Sequence, residues 1–418
     1  MDYMKHHTYD VMILDESHMI KSLGSQRSNA TLQIISKAEI RILLSGTPFS
    51  YPSEMYQQIK ALNPTIYPWF FNYRDSDFEE PGKYFYAKRY CKPTKLNFRG
   101  AESWVFKGYE RSEELNAVLN TFMVRRKKSD VLSQLPEKTR ICITLPPLSA
   151  KEQKKIDALL QDDSMKKKKK EKGEKKEKVE KKFQFKDDAR ATYMEAFRLA
   201  STFKTPHVID FIKDHILGDL LKENKDMKFL IFFHHQNMME AIRELLQEKE
   251  IQFFLIDGST PPIKRQEYVD SFQTTNKYNI ALLSITAAST GLTLTAASTV
   301  IFSEVLFSPS EHLQAESRSD RLGQKNMVNI FYLIQPKSTD EINFGLIKKK
   351  ERESSRIIDG KSSHINSTRY DHGTQMKDMM NKKKRTRSKG EPEEGEEEET
   401  VKRPKVVVSR RALPMIHG

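Results

Sequence analysis

Lys228–Asp257 reads KFLIFFHHQNMMEAIRELLQEKEIQFFLID, and its hydrophobic period changes twice along its length. The opening run, KFLIFF, is short, apolar and rich in strand formers. The stretch NMMEAIRELLQEKE then places Met238, Ile242, Leu245 and Leu246 on one helical face with charges opposite. A second apolar run, FFLID (Phe253–Asp257), follows. Strand, helix and strand in that order form a βαβ unit with a parallel sheet, so the fold class is α/β. Three further runs, IALLSI (Ile280–Ile285), TVIFSE (Thr299–Glu304) and NIFYLI (Asn329–Ile334), bring the strand candidates to five, enough for one complete lobe. The same alternation begins abruptly near the start, with DVMILD (Asp10–Asp15) and RILLSG (Arg41–Gly46). Sheets of this type normally hold more strands, so the first lobe is expected to be incomplete.

Composition narrows the partners. The 418 residues carry 71 Lys and Arg against 57 Asp and Glu, a formal net charge of +14, which suits a polyanionic partner such as nucleic acid or an anionic membrane surface, and charge alone does not choose between them. No apolar run is long enough to span a bilayer and the N-terminus has no signal-peptide core, so a soluble protein that is not secreted and has no membrane partner is expected. Cys91 and Cys142 stand far apart, which suggests neither a disulfide framework nor a zinc site. Two stretches are too charged to bury a core. One is the Lys-rich insert Ser164–Lys186. The other is the tail from about Gly360, with basic clusters at Lys382–Arg387 and at Lys402, Arg403 and Lys405 around an acidic block, Glu393–Glu399. Basic clusters near a terminus favour nuclear import, with a solubilising tail as the alternative.

Three motifs carry chemistry. Asp15-Glu16-Ser17-His18 ends the strand VMILD, putting two acids at a carboxyl edge, where ligands bind in open α/β sheets. One acid there can hold magnesium while its neighbour orients a water that attacks a γ-phosphate; the bland reading is a strand ending in polar turn residues. Ser45-Gly46-Thr47-Pro48 ends the next strand with hydroxyls able to relay hydrogen bonds. In QAESRSDRLGQ (Gln314–Gln324), Arg318 and Arg321 are three apart and are expected to share a helix face. They could stabilise a transferring phosphoryl group; the alternative is a salt-bridged surface helix using Glu311, Glu316 and Asp320. His6, His7, His234 and His235 lack metal-ligand spacing and read as structural or surface residues.

DESH, LLSGTP, MVRRKKSDVLSQLPEK, IDGST, LSITAASTGLTLTAASTVIFSE and QAESRSDRLGQ occur in register over roughly Tyr9–Glu341. In that order they resemble the SWI/SNF-related superfamily-two DNA-dependent ATPases. The wording is most similar to the HARP-type annealing helicases of the SMARCA-like branch, through SDVLSQLP (Ser129–Pro136), His234-His235, RQEYVDSFQ and Glu304. The resemblance implies two RecA-like lobes closing on ATP, with Asp15 on magnesium, Glu16 activating water, and Arg318 and Arg321 reaching across from the second lobe. It further implies that Ser45, Gly46 and Thr47 couple hydrolysis to DNA, that Gly291 lies beside nucleotide and DNA backbone, and that Gln324 closes the last motif. Duplex or forked DNA, held through its phosphates, is the implied partner, together with replication or repair proteins at forks. A chromatin-remodelling ATPase and a non-catalytic DNA-binding fragment are the alternatives.

The implied boundaries are residues 1–147 for the later part of the first lobe, 148–205 for a linker containing the insert 164–186, 206–358 for the second lobe and 359–418 for a disordered charged tail. The sequence also departs from the pattern. No Gly-rich loop ending in Gly-Lys-Ser or Gly-Lys-Thr precedes Asp15, and Gly360-Lys361-Ser362 is a decoy because Ser355 stands where the first Gly belongs. Poor hydrolysis by the chain as it stands is therefore expected, and a gene model truncated at an internal Met is favoured over an inactive fragment or a split enzyme. Asp320 replaces a His, Ser317 an Asp, and Phe307-Ser308-Pro309 a Trp-Asn-Pro sequence.

Overall fold

All five apolar runs of the second half become strands of one sheet: β6 (Phe229–Phe233), β7 (Phe253–Ile256), β8 (Ile280–Ser284), β9 (Thr299–Phe302) and β10 (Val328–Ile334). The computed structural model describes residues 4, 6–22, 24–63, 81–98, 101–132, 134–169, 184–286, 291–360, 367–374, 376 and 380. Every residue of β6, β8, β9 and β10 is buried, as strands covered on both faces must be. Alternate residues feed two cores: Leu230 and Phe232 face one, Phe229, Ile231 and Phe233 the other. The first core is closed by Val269 and Phe272 of α9 (Pro262–Thr274), the second by Met238, Ile242, Leu245 and Leu246 of α8 (Gln236–Glu248).

The sheet is larger than the five runs suggest. Its order is β11-β5-β10-β9-β6-β8-β7, parallel at every pairing. Here β5 (Lys138–Thr144) registers on β10, with Ile141 opposite Phe331 and Cys142 opposite Tyr332. On its other side β5 pairs with β11 (Ser367–Asp371). The second sheet thus takes one strand from residues assigned to the first lobe and one from the tail expected to be disordered. Parallel neighbours are joined by long crossovers, so position along the chain does not reveal which sheet a strand joins.

The expected linker 148–205 is largely helical. Ile156 of α6 (Ala150–Lys169) packs on Ala200 of α7 (Gln184–Phe211), and Val208 and Phe211 of α7 enter the second-sheet core. Residues 170–183 of the Lys-rich insert, the decoy's Lys361 and Ser362, and the basic and acidic clusters of the tail lie outside the described residues.

The first unit has a two-stranded parallel sheet. In it β1 (Tyr9–Leu14) and β2 (Ala38–Leu43) pair with Val11 opposite Ile40 and Ile13 opposite Ile42, and α1 (Gln26–Ile35) crosses between them. Met12, Leu14 and Leu43 pack under Ile20, Ile35 and Ala61. Along these strands and just past them, Val11, Ile13, Ile40, Ile42 and Leu44 are 40–59% exposed. In β2 Glu39 and Arg41 alternate with Ile40 and Ile42, which marks an apolar face but not what covers it. A second core joins α2 (Pro52–Leu62), α3 (Pro81–Tyr90) and α4 (Ser112–Leu119) through Tyr56, Ile59, Tyr86 and Leu115, and β3 (Thr94–Phe98) and β4 (Ala101–Val105) form an antiparallel hairpin. The long helix α11 (Thr339–Asp359) connects the units: Phe344 and Ile347 lie in the second-sheet core and Ile357 in the helical core of the first unit. No helix among the described residues is long and apolar enough to cross a membrane.

Candidate active site

A cleft of about 840 Å³ separates the two units, with Glu16, Gly46 and Thr47 on one wall and Gln314, Arg318 and Arg321 on the other. The first wall follows from how β1 and β2 end. Leu44 N–H donates to the Leu14 carbonyl (2.9 Å) and Ser17 N–H to the Leu44 carbonyl (2.8 Å), so Asp15–His18 is drawn beside Ser45–Thr47. Glu16 turns the chain with φ 49°, a left-handed conformation that costs a non-glycine residue about 1–3 kcal/mol and is common at functional sites. Asp15 is exposed, and its Oδ1 accepts from Glu16 N–H at 2.8 Å.

His18, buried behind this turn, links the parts. Its Nδ1 lies 3.1 Å from Ser45 Oγ and 3.2 Å from Glu16 Oε2, and its Nε2 lies 3.4 Å from Gln314 Nε2 across the cleft. Burial lowers its pKa, and the nearby Glu16 carboxylate opposes that shift. Ser17 Oγ donates to Gln58 Oε1 (2.8 Å), and Gln58 Nε2 donates to the Pro48 carbonyl (2.6 Å), which fixes the second loop. Ser45 Oγ also accepts from Thr47 N–H (3.2 Å), while Thr47 Oγ1 is buried with no hydrogen-bond partner.

The second wall differs from the expectation of a shared helix face. α10 (Pro309–Glu316) stops at Glu316, and Arg318 and Arg321 lie in the turns that follow. Glu316 points into the interior, and beyond it Gly323, at φ 97°, bends the chain in a way that favours glycine. The two guanidinium groups nevertheless reach one cleft. Arg318 is buried and donates to the Leu292 carbonyl (3.4 Å), and Arg321 donates to Thr293 Oγ1 (3.0 Å). Burial, reinforced by the like charge of Arg321 and opposed by Glu16, lowers the Arg318 pKa to about 10, so it remains a cation at neutral pH.

Beneath the turn lies a buried charge cluster. Glu316 accepts from Arg140 Nε and Nη2 (2.7 Å each), Tyr332 Oη (2.8 Å) and Lys138 Nζ (3.1 Å). Burial pushes its pKa up, but the adjacent Arg140 and Lys138 outweigh this and hold the carboxyl below its ordinary range. Asp320 faces neither the arginines nor solvent; it pairs with Lys128 (3.1 Å) of α5 (Lys128–Val131) and with Lys138 (3.3 Å). At the end of α11, Asp359 pairs with Arg125 (3.0 Å) and Lys127 (3.4 Å).

The remaining expected site residues lie elsewhere. Gly291 has φ 35° and is not among the cleft residues; its neighbours Leu292 and Thr293 hold the two arginines. Gln324 is buried, and its Nε2 donates to the carbonyls of Thr295, Ala297 and Ser319 at 3.0–3.1 Å, which clamps the arginine turn. His235 Nδ1 lies 2.5 Å from Oε1 of the buried Glu304, whose Oε2 accepts both the His234 and His235 backbone N–H groups. Among the described residues no three His, Cys, Asp or Glu side chains gather as metal ligands. Magnesium, which keeps several waters and uses one or two protein carboxylates, fits the acid pair Asp15 and Glu16 better than a closed metal cage would. Sequence reasoning missed Lys128, Lys138, Arg140 and Asp359, because their partners are up to 234 residues distant.

Residues 1–196 match the SNF2-related domain and residues 212–323 the helicase conserved C-terminal domain. The DNA annealing helicase and endonuclease ZRANB3 of Mus musculus is 33% identical over 374 residues, 89% of this chain and 32% of that protein. The SWI/SNF-related matrix-associated actin-dependent regulator of chromatin subfamily A-like protein 1 of Xenopus tropicalis is 33% identical over 347 residues, 82% of this chain and 33% of that protein. Among solved structures, the Sulfolobus solfataricus SWI2/SNF2 ATPase core in complex with dsDNA aligns over 85% of this chain and 74% of its own, at 18% identity and a TM-score of 0.38. The chain spans about a third of the length of the curated relatives it matches.

Proposed function

The chain belongs to the SNF2-related family, and we propose on that footing that it is the cleft-forming part of an ATP-driven motor that moves on duplex DNA and re-anneals the strands of forked or branched DNA during fork processing and repair. One observation carries the reading: Glu16 stands on one wall of a cleft whose other wall holds Arg318 and Arg321. In phosphoryl transfer the protein's work is positioning and electrostatics, and this arrangement supplies both. Glu16 orients the attacking water, and the two guanidinium groups stabilise charge on the transferring phosphoryl group. Asp15 would hold magnesium, which when bound neutralises phosphate charge. Ser45 and Thr47, tied to Glu16 through His18, couple the hydrolytic wall to DNA. The Gly-Lys-Ser or Gly-Lys-Thr loop that cradles phosphates in such motors is not among these 418 residues.

Annealing activity is supported by the name of the first relative, and a DNA partner by the net charge of +14. A nuclear location is supported by the basic clusters of the tail, which lie outside the described residues. The test is strand rejoining on a protein-coated, partly unwound fork by the full-length protein with ATP. Rejoining that requires ATP and is lost in Glu16→Gln supports the reading; ATP hydrolysis stimulated by DNA without any rejoining removes the annealing part of it.

A further inference from the structure

The residue between the two arginines is neither free nor in competition with them. The Asp320 side chain is 5% exposed, and Lys128 grips it twice: Nζ pairs with the carboxylate at 3.1 Å and also hydrogen-bonds the Asp320 backbone carbonyl. Lys138 Nζ adds a second ammonium at 3.3 Å. Besides the arginines' own contacts with Leu292 and Thr293, three neutral ties hold the turn. Ser319 Oγ donates to the Ala297 carbonyl, Gln324 Nε2 to the Ser319 carbonyl (3.1 Å), and Leu294 N–H to the Arg318 carbonyl (2.9 Å). These three come from the second unit, whereas Lys128 lies ten residues before β5, on the segment leading out of the first unit. The same segment carries Arg125 and Lys127, which hold Asp359 at the end of α11. Three of four consecutive basic residues are therefore paired with two acids from the second half of the chain: the buried Asp320, between the arginines, and Asp359, on the end of α11 that packs in the helical core of the first unit.

From this geometry we infer that Lys128 and Asp320 are positioning residues, through which the 125–128 segment sets where Arg318 and Arg321 stand in the cleft. The inference rests on the proposed role of those arginines in hydrolysis. A buried carboxylate that loses one of two cations re-pairs by moving, because leaving the charge uncompensated in a low-dielectric site is costly. Because Lys128 also holds the Asp320 backbone carbonyl, its loss releases the backbone of the turn along with the carboxylate. Arg318 and Arg321, two and one residues away, then shift, and an ångström of displacement at a reacting centre costs about 10²-fold in rate.

The experiment uses the full-length protein and two readouts: steady-state ATP hydrolysis with duplex DNA, and amide hydrogen exchange of the peptide covering residues 317–323. Lys128→Met and Asp320→Asn are each expected to lower kcat about 10–100-fold while KM for ATP and duplex affinity stay within about twofold. Exchange in 317–323 quickens in both, the double variant is no worse than either single one, and Lys128→Arg restores wild-type behaviour. Unchanged exchange in Lys128→Met, additive losses in the double variant, or kcat and KM moving together overturns the inference. If the wild-type protein shows no DNA-stimulated hydrolysis, the functional reading fails, and the exchange data with the Lys128→Arg rescue decide the positional link on their own.

Discussion

Glu316→Gln should be among the most damaging single-atom changes this protein can suffer. Both carboxylate oxygens are saturated: Oε1 accepts from Arg140 Nε and Tyr332 Oη, and Oε2 from Arg140 Nη2 and Lys138 Nζ. Replacing one oxygen with an amide NH2 sets donor against donor and leaves the guanidinium of Arg140, whose side chain is 13% exposed, without its counter-charge. Removing one partner of such a buried pair costs about 3–5 kcal/mol. For a unit of roughly 200 residues each kcal/mol lowers Tm by about 2–4 °C, so a fall of about 6–20 °C is expected. Thermal or urea unfolding of wild type and variant measures it. Since Arg318 follows Glu316 by two residues, DNA-stimulated hydrolysis should fall as well. A loss below about 1 kcal/mol would refute the reasoning, because it would mean that the cluster is solvated.

Two further predictions concern pH and salt. His312 is buried against Phe302 and Tyr332, and burial lowers its pKa to about 4, with Glu316 opposing. The unfolded chain therefore takes up a proton that the folded chain refuses, so stability should decline by about 3 kcal/mol as pH falls from about 6.5 to 4. His312→Phe should flatten that slope, and a wild-type unfolding free energy that is flat over this window would contradict the burial. Glu316, held below its ordinary range, contributes stability that is complete above the unfolded carboxyl value of about 4.3 and is lost only as pH drops below it, which separates the two effects. Duplex affinity should fall linearly on a log–log plot against salt, by about 10³–10⁵ between 50 and 200 mM if six to ten phosphates are contacted; a flat dependence would exclude a phosphate-held DNA.

Much of the fold was legible because β6 to β10 are short runs apolar at nearly every position, too short for helices and alternating with amphipathic helical stretches. β5 was misassigned because KTRICIT looks the same whichever sheet it joins, and its partner β10 lies 190 residues away. β11 was missed because STRYD sits in a charged tail and its partners, the open edge of β5, the core beneath Tyr370 and Glu341 beside Arg369, are distant in sequence. At the site, the motifs located Glu16, Thr47, Arg318 and Arg321 in one cleft, since their chemistry depends on residue type and local order. The spacing of the arginines misled: two residues three apart suggest a helix face, but the helix ends at Glu316, before either of them. The ion pairs that hold the turn join residues from distant parts of the chain, and no local pattern encodes them.

The central claim is that Glu16 and Arg321, facing one another across the cleft, perform DNA-stimulated phosphoryl transfer. The most direct test is ATP hydrolysis by the full-length protein with and without duplex DNA, in wild type, Glu16→Gln and Arg321→Ala. The account predicts hydrolysis that rises with DNA in the wild type and falls about 10³-fold or more in each variant, while salt-sensitive DNA binding persists. Hydrolysis that survives both substitutions, or a wild-type protein that binds DNA and never hydrolyses ATP, would contradict it.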